Sequence, residues 1–161
     1  MAIKQTYQLT QEGVDKLKEE LTNLKDVKRI ENLEALKEAR AQGDLSENAD
    51  YDAARNEQAR IEARILEIEN IIKHAKIIKT TDEAIVNIGK TVKVRFIKNG
   101  KAEEQVREFH MISSLEADPK VGKISIESPI GKAIKNHQKG DKVQIVSDTG
   151  QEFFIEIVDI N

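Results

Sequence analysis

Apolar positions follow two rhythms along the chain. From about Gln11 to Lys76 they recur every three or four residues, the period of a helix with one buried face. Beyond Lys79 they fall in short β-branched runs separated by Gly, Asn, Asp and Pro, which reads as strands and turns. Thr10 is a candidate N-cap for the first helix, with Leu9 and Val14 in the positions of a hydrophobic staple. The stripe of that helix begins as Val14, Leu17, Leu21 and Leu24 and continues as Val27, Ile30, Leu33 and Leu36. Its spacing shifts from 3-4-3 to repeated threes, so the stripe drifts around the helix. The second helix has a steadier 4-3-4-3 repeat at Ile61, Ile65, Ile68, Ile72 and Ala75, as a coiled-coil seam does.

A short connection between the two predicts an antiparallel hairpin. A first helix of roughly 30 residues spans about 45 Å at 1.5 Å per residue, so the hairpin is expected to project as an arm with its turn at the far end. The second half predicts strands at Thr91–Ile97, Val106–Ile112, Lys123–Ser128, Val143–Val146 and Phe153–Val158, with a hairpin turn at Asn99-Gly100. Pro129 opens a short helix, Ile130–Asn136. The fold class is therefore α+β, with a coiled-coil arm over residues 1–79 and a small antiparallel sheet with one helix over residues 80–161. The segment Thr80-Thr81-Asp82-Glu83 is the natural linker.

Composition narrows the function. The 161 residues carry 34% charged and only 4% aromatic side chains, and a net charge of −3 argues against binding nucleic acid mainly through counterion release. The absence of cysteine excludes disulfides and thiolate metal sites. Met1–Gln8 lacks a signal-peptide core and no run approaches a membrane span, so a cytoplasmic protein without membrane contact is expected.

The turn between the helices holds the candidate chemistry. Asp44, Glu47, Asp50 and Asp52 crowd together with no lysine or arginine between the first and the last. Acids in the first turn of a helix are favoured by its dipole, and Ser46, Asn48 or Asp50 could cap the second helix. That explanation leaves Asp44, beside the negative end of the first helix, without a reason. The alternative is that Asp44 and Glu47 act together as oxygen ligands. Two carboxylates cannot fill the octahedral shell of Mg²⁺ alone, but they could complete the shell of an ion held partly by another molecule.

The stretch from Glu38 to Arg55, with Gly-Asp-Leu-Ser-Glu-Asn-Ala-Asp-Tyr at residues 43–51, resembles the tip signature of the bacterial GreA/GreB transcript cleavage factors, most like the GreA type. Ile126-Glu127-Ser128-Pro129-Ile130-Gly131-Lys132-Ala133-Ile134 and the Leu9–Gly13 opening are similar to the same family, so the resemblance spans the chain. It implies a C-terminal domain similar to FK506-binding proteins that docks at the rim of the secondary channel of bacterial RNA polymerase while the arm enters the channel. Asp44 and Glu47 would match the acidic pair that holds a Mg²⁺ shared with the polymerase and positions the attacking water. Arg40 and Arg55 would face the extruded 3′ end of the nascent RNA, and Glu127, Ser128 and Pro129 would match the docking loop. The protein would then be a monomeric accessory factor, with no tightly bound cofactor, whose partner performs the hydrolysis.

Each of these residues has a plainer explanation. Arg40 and Arg55 are also ordinary solvated helix arginines, and Tyr51 stacks on a base or packs on the tip backbone. Ser128 suffices as the cap of the helix that Pro129 begins. Within the architecture the alternative function is an anti-cleavage or channel-blocking paralogue, which would use a differently charged tip. A metal-dependent nuclease has too few ligands here, a prolyl isomerase would share only the fold, and a coiled-coil adaptor leaves the acids unaccounted for. His74, His110 and His137 lack ligand spacing.

Overall fold

The computed structural model describes residues 6–44, 48–79 and 83–161. In chain order the elements are β1 (Tyr7–Leu9), α1 (Gln11–Asn23), a π-helical segment (Leu24–Lys28), α2 (Arg29–Ala41), α3 (Ala49–Lys73), β2 (Ala75–Ile77), β3 (Thr91–Lys98), β4 (Lys101–Ile112), a 3₁₀ turn (Pro119–Val121), β5 (Lys123–Ser125), α4 (Pro129–Ile134), β6 (Lys142–Val146) and β7 (Glu152–Ile160). They form two compact units. One is built on Glu12–Ala75, the other on Lys76–Asn161 together with Gln8–Gln11.

The first unit is the helical hairpin. Backbone angles stay helical on both sides of the π-helical segment, so α1 and α2 form one continuous rod. The segment explains the drift in the apolar stripe. Continuing the spacing of Val14, Leu17, Leu21 and Leu24 would bring Lys28, Glu31, Ala35 and Glu38 to face α3, three of them charged. A π turn absorbs one extra residue, which advances the phase of everything beyond it by about 100°. The interface then takes Asn32, Leu36 and Ala39, all buried. The expected continuation through Val27, Ile30 and Leu33 is corrected: these are 43%, 51% and 43% exposed, and only Leu36 of that row is buried.

From α3 the hairpin buries Ala54, Ile61, Ile65, Ile68 and Ile71. Each fully buried isoleucine contributes about 1.5–3 kcal/mol. Asn32 is the one buried polar side chain of this seam among the described residues, and its Nδ2 donates to the Ala54 carbonyl at 2.9 Å. Cross-helix ion pairs flank the seam. Arg29 donates both Nε and Nη2 to Glu62, at 2.8 and 2.7 Å, and Arg64 donates in the same two-toothed way to Glu20 at 2.7 and 2.9 Å. The Arg29 hydrogen bond holds the Glu62 carboxyl below its ordinary range, and the partners Glu20 and Glu67 raise Arg64 further.

The second helix ends earlier than its repeat suggests. The helix α3 stops at Lys73, and Ala75, expected in the seam, instead opens β2. Strands β1 and β2 form a two-stranded ribbon, closed by Tyr7 N–H on His74 O and Ile78 N–H on Leu9 O. Pairing with a strand from the start of the chain outweighed three more residues of helix, which no local pattern announces.

The second unit is a five-stranded sheet in the order β5-β4-β3-β7-β6. Pairs β4/β3, β3/β7 and β7/β6 are antiparallel as expected. The edge pair β4/β5 is parallel, because the 3₁₀ turn at Pro119–Val121 and the left-handed Gly122 carry the chain back in the same direction. Period-two burial on β3 puts Val92 and Val94 in the core, with Lys93 and Arg95 on the opposite face. Asn99 and Gly100 both have positive φ, 51° and 74°, the geometry that a two-residue hairpin needs. Met111, Ile134, Ile145, Ile155 and Ile157 complete the core, closed on one side by α4. Glu116 accepts from the Thr10 backbone N–H, the Thr10 hydroxyl and the Ser113 hydroxyl, which holds residues 8–11 against this unit.

Candidate functional site

The end of the hairpin is built from two helix termini facing each other. A helix leaves its last four carbonyls and first four N–H groups without helical partners. On the outgoing side α2 ends at Ala41, Gln42 is still helical, and Gly43 turns the chain with φ 116°, a conformation that favours glycine. Asp44 follows directly and is exposed. The expected partner Glu47, with Leu45 and Ser46, lies outside the described residues. On the return side Asn48 is the cap of α3, the one of the three candidate caps that the geometry selects.

Asn48 serves both termini at once. Its Oδ1 accepts the Tyr51 N–H at 3.1 Å, which caps α3. Its Nδ2 donates to the Ala39 carbonyl at 2.7 Å, one of the orphan groups of α2. Beside this bridge the Arg40 guanidinium lies over the Tyr51 ring, 5.8 Å from its centroid. The side chains of Arg40 and Tyr51, one from each helix, are therefore brought together, whereas Arg55 is exposed and farther along α3.

The four acids separate by position. Asp50 and Asp52 occupy the first turn of α3, where the dipole favours them, so the plain electrostatic explanation covers these two. Asp44 sits past the C-terminal end of α2, where a negative charge is disfavoured. It is the described acid whose place the helices do not account for.

The loop of the sheet unit is determined by local packing. The Ser128 hydroxyl accepts the Gly131 N–H at 3.1 Å and donates to the Ser125 carbonyl at 2.7 Å, with Pro129 at the first position of α4. Glu127 is exposed, and its backbone N–H donates to Ser125 Oγ. Next to the loop is an apolar cleft of about 270 Å³ lined by Ile124, Ser128, Pro129, Ile130, Ile145 and Phe153. Sequence reasoning missed this cleft, since its walls come from three separate runs. It also missed the Asn48 bridge, although an asparagine four residues past a helix-ending Gly-Asp pair carries both the donor and the acceptor that such a bridge needs.

Among the described residues no helix is long and apolar enough to cross a membrane, and no three His, Asp or Glu side chains converge on an ion site. Comparison with known proteins covers nearly the whole chain. Residues 7–77 match the family model described as transcription elongation factor, N-terminal, and residues 81–161 the model described as transcription elongation factor, GreA/GreB, C-term. The chain is 63% identical over 158 residues to transcription elongation factor GreA of Acholeplasma laidlawii, covering 98% of each. It is 50% identical over 156 residues to that of Mesoplasma florum, covering 95% of this chain and 96% of the relative. Among solved structures, GreA factor homolog 1 of Thermus thermophilus aligns over 98% of this chain and 99% of its own, with 27% identity and a TM-score of 0.44. The chain belongs to the GreA/GreB family of transcription elongation factors.

Proposed function

We propose that this elongation factor acts on bacterial RNA polymerase that has backtracked, entering the secondary channel with its hairpin (residues 1–79) and docking through residues 80–161. Asp44 and Glu47 supply carboxylate oxygens to the polymerase active site, Arg40 and Arg55 contact the phosphates or bases of the displaced RNA 3′ segment, and Glu127, Ser128 and Pro129 contact the channel rim. The observation that carries this reading is the exposed Asp44 beyond the C-terminal end of α2, where the negative end of the helix dipole disfavours an acid.

The donor set fits Mg²⁺. Carboxylates are hard oxygen ligands, and two of them leave most of an octahedral shell to water and to a partner, so the chain would share the ion rather than keep it. Held by Asp44 and Glu47 together with the partner, such an ion would supply a more acidic bound water and charge stabilisation at the phosphodiester. The chain's own residues do the rest. Gly43 turns the chain directly before Asp44, Asn48 joins the ends of the two helices, and Arg40, held over Tyr51, presents a planar cation suited to phosphate contact and base stacking. The apolar cleft beside Pro129 offers the docking loop a recess for a partner's side chain.

A stalled, backtracked elongation complex with labelled transcript tests the reading. Intact protein is expected to accelerate removal of the RNA 3′ fragment. Asp44→Asn or Glu47→Gln should lower the accelerated rate about 100-fold or more, the scale of losing several kcal/mol of charge stabilisation, while competition for polymerase binding stays within about twofold. Wild-type acceleration by Asp44→Asn would overturn the assignment, and cleavage of free RNA without polymerase would point to a nuclease.

A further inference from the structure

Two packed helices leave a groove on either side of their seam, and the side chains at its shoulders decide how deep it is. On one side of the arm the shoulders are alanines, Ala35 on α2 and Ala53 on α3, above the buried Asn32, Ala39 and Ala54. An open groove of about 520 Å³ results. Its walls are acidic: Glu31 and Glu38 stand on α2, Asp50 and Glu57 on α3, and all four are exposed. Across the seam Asn48 bonds to Ala39 and Asn32 to Ala54, so Glu38 is level with Asp50 and Glu31 with Glu57. On each wall the two acids are seven residues apart, two turns of helix or about 10 Å.

A row of acids is ordinarily just a solvated helix face, but the floor of this groove holds a second feature. Asn32 is more than nine-tenths buried, and its Nδ2 is taken by the Ala54 carbonyl. Its Oδ1 accepts no hydrogen bond among the described residues and is not sealed from solvent, so it opens into the groove. Cations of the chain itself serve only one level: Lys28 pairs with Glu31 at 3.0 Å, and Arg60 lies 3.7 Å from Glu57. Glu38 and Asp50 form no ion pair among the described residues. A buried acceptor beneath carboxylates, on a floor of methyl groups, suits a cation on an apolar stem and repels phosphate. Lysine and arginine side chains have that form.

We infer that this groove is a docking surface for a basic helix of the polymerase, whose lysines or arginines two turns apart meet the two acid levels. The groove runs along both helices of the arm, both walls repeat at the spacing of a helix, and the alanines let a third helix approach closely. The inference rests on the function proposed above, which brings the arm between the walls of the polymerase channel. Arg40 and Arg55, assigned there to RNA, are not among the groove's lining residues, so RNA and protein take separate faces of the arm.

Glu38→Lys with Glu57→Lys reverses one acid at each level. Asp26 and Glu34 are exposed on the arm outside the groove, so Asp26→Lys with Glu34→Lys makes the same change of net charge elsewhere. The full chains are titrated against purified bacterial RNA polymerase at low and high salt. The groove pair is expected to weaken binding about tenfold or more at low salt and less at high salt, whereas the control pair stays within about twofold. Asn32→Leu, which takes the acceptor from the floor, is expected to weaken binding about tenfold without lowering the urea midpoint. The wild-type chain has no cysteine, so Ala35→Cys can carry a thiol-to-amine crosslinker, expected to capture a lysine in a helical segment of the polymerase.

Wild-type affinity of the groove pair or of Asn32→Leu would overturn the inference. So would equal losses from the two charge pairs, or a crosslink to no helical segment. In each of these cases a wild-type chain that still binds polymerase and accelerates transcript cleavage leaves the proposed function standing. A wild-type chain that does not bind polymerase removes both.

Discussion

Both α3 and α4 begin at a side-chain cap, Asn48 on one and Ser128 on the other, yet the surroundings of the two caps differ. Ser128 is bonded to Ser125, and α4 is pressed against the backbone of the preceding segment, above a core of fully buried isoleucines. Asn48 joins two helix ends whose neighbouring acids Asp44, Asp50 and Asp52 are exposed. At the first cap packing dictates most residues, so a mutation there is felt as stability. At the second, packing dictates few, and a mutation is expected to leave stability nearly unchanged. Residues that folding does not require are the ones whose presence asks for another reason.

The sharpest way to break the comparison is at Gly131. A Cβ there would lie 2.1 Å from the Ser125 carbonyl oxygen and 2.8 Å from the Ile126 backbone, with no flexible side chain to move aside. Gly131→Ala should therefore destabilise the sheet unit by about 3 kcal/mol or more, read as a lower urea midpoint. An unchanged midpoint would mean that α4 is free to lift from β5, and the loop would then be no better determined than the tip. Ser128→Ala comes next. It removes the cap of α4 and the bond to Ser125, for a loss of roughly 1–2 kcal/mol. Asp44→Asn, by contrast, should change stability by less than about 0.5 kcal/mol, as surface substitutions do. A large stability loss at Asp44 would erase the distinction between the two regions.

Asn32 tests the hairpin itself. Its amide is buried in an otherwise apolar seam and bonded to the Ala54 carbonyl. That carbonyl sits inside α3, so a leucine at position 32 leaves it with its helical partner. Asn32→Leu should leave stability unchanged or raise it by up to about 1 kcal/mol, read as an equal or higher urea midpoint, because buried polar groups in coiled coils specify register at some expense of stability. A loss above that would show that the Asn32 bond stabilises the arm outright.

Much of this architecture was legible in the sequence, and the exceptions have physical causes. Ile61, Ile65 and Ile68 announced the seam of α3, and Asn99-Gly100 announced its turn, because each depends on local periodicity or on backbone angles that few residues adopt. The distal seam was misread. Val27, Ile30 and Leu33 are apolar at helical spacing, but the phase of a coiled coil is decided by the partner helix, and the choice lay between burying Lys28, Glu31 and Glu38 or inserting a π turn. The two-stranded ribbon and the parallel edge of the sheet joined residues far apart in the chain, which no window of neighbours reveals. At the tip, the anomalous place of Asp44 could be read from its position after a helix end. The second bond of Asn48 could not, because it depends on where the Ala39 carbonyl points.

The smallest predicted effect concerns the ion pairs, and it compares the two units on equal terms. Glu62 in the arm and Glu103 in the sheet are both exposed enough for water to weaken their pairing, and both have carboxyls held below the ordinary range by a hydrogen bond, from Arg29 and Lys98 respectively. A carboxyl that is more acidic folded than unfolded adds stability above its unfolded pKa and loses it as pH falls through the folded value. The direction is thus the same in both units: neutral pH favours the pairs, and acid removes them. The consequence differs. Glu103 and Lys98 flank a tight hairpin turn within one sheet, where backbone pairing already fixes the strands. Glu62 and Arg29 join two helices that have only a narrow apolar seam between them. Glu62→Gln should therefore lower the urea midpoint of the arm slightly at pH 7 and less in acid, and the pH 7 difference should shrink in high salt as the charges are screened. Glu103→Gln should move the midpoint of the sheet less at either pH. Equal shifts for the two substitutions would show that the arm is held by its apolar seam as firmly as the sheet is by its core.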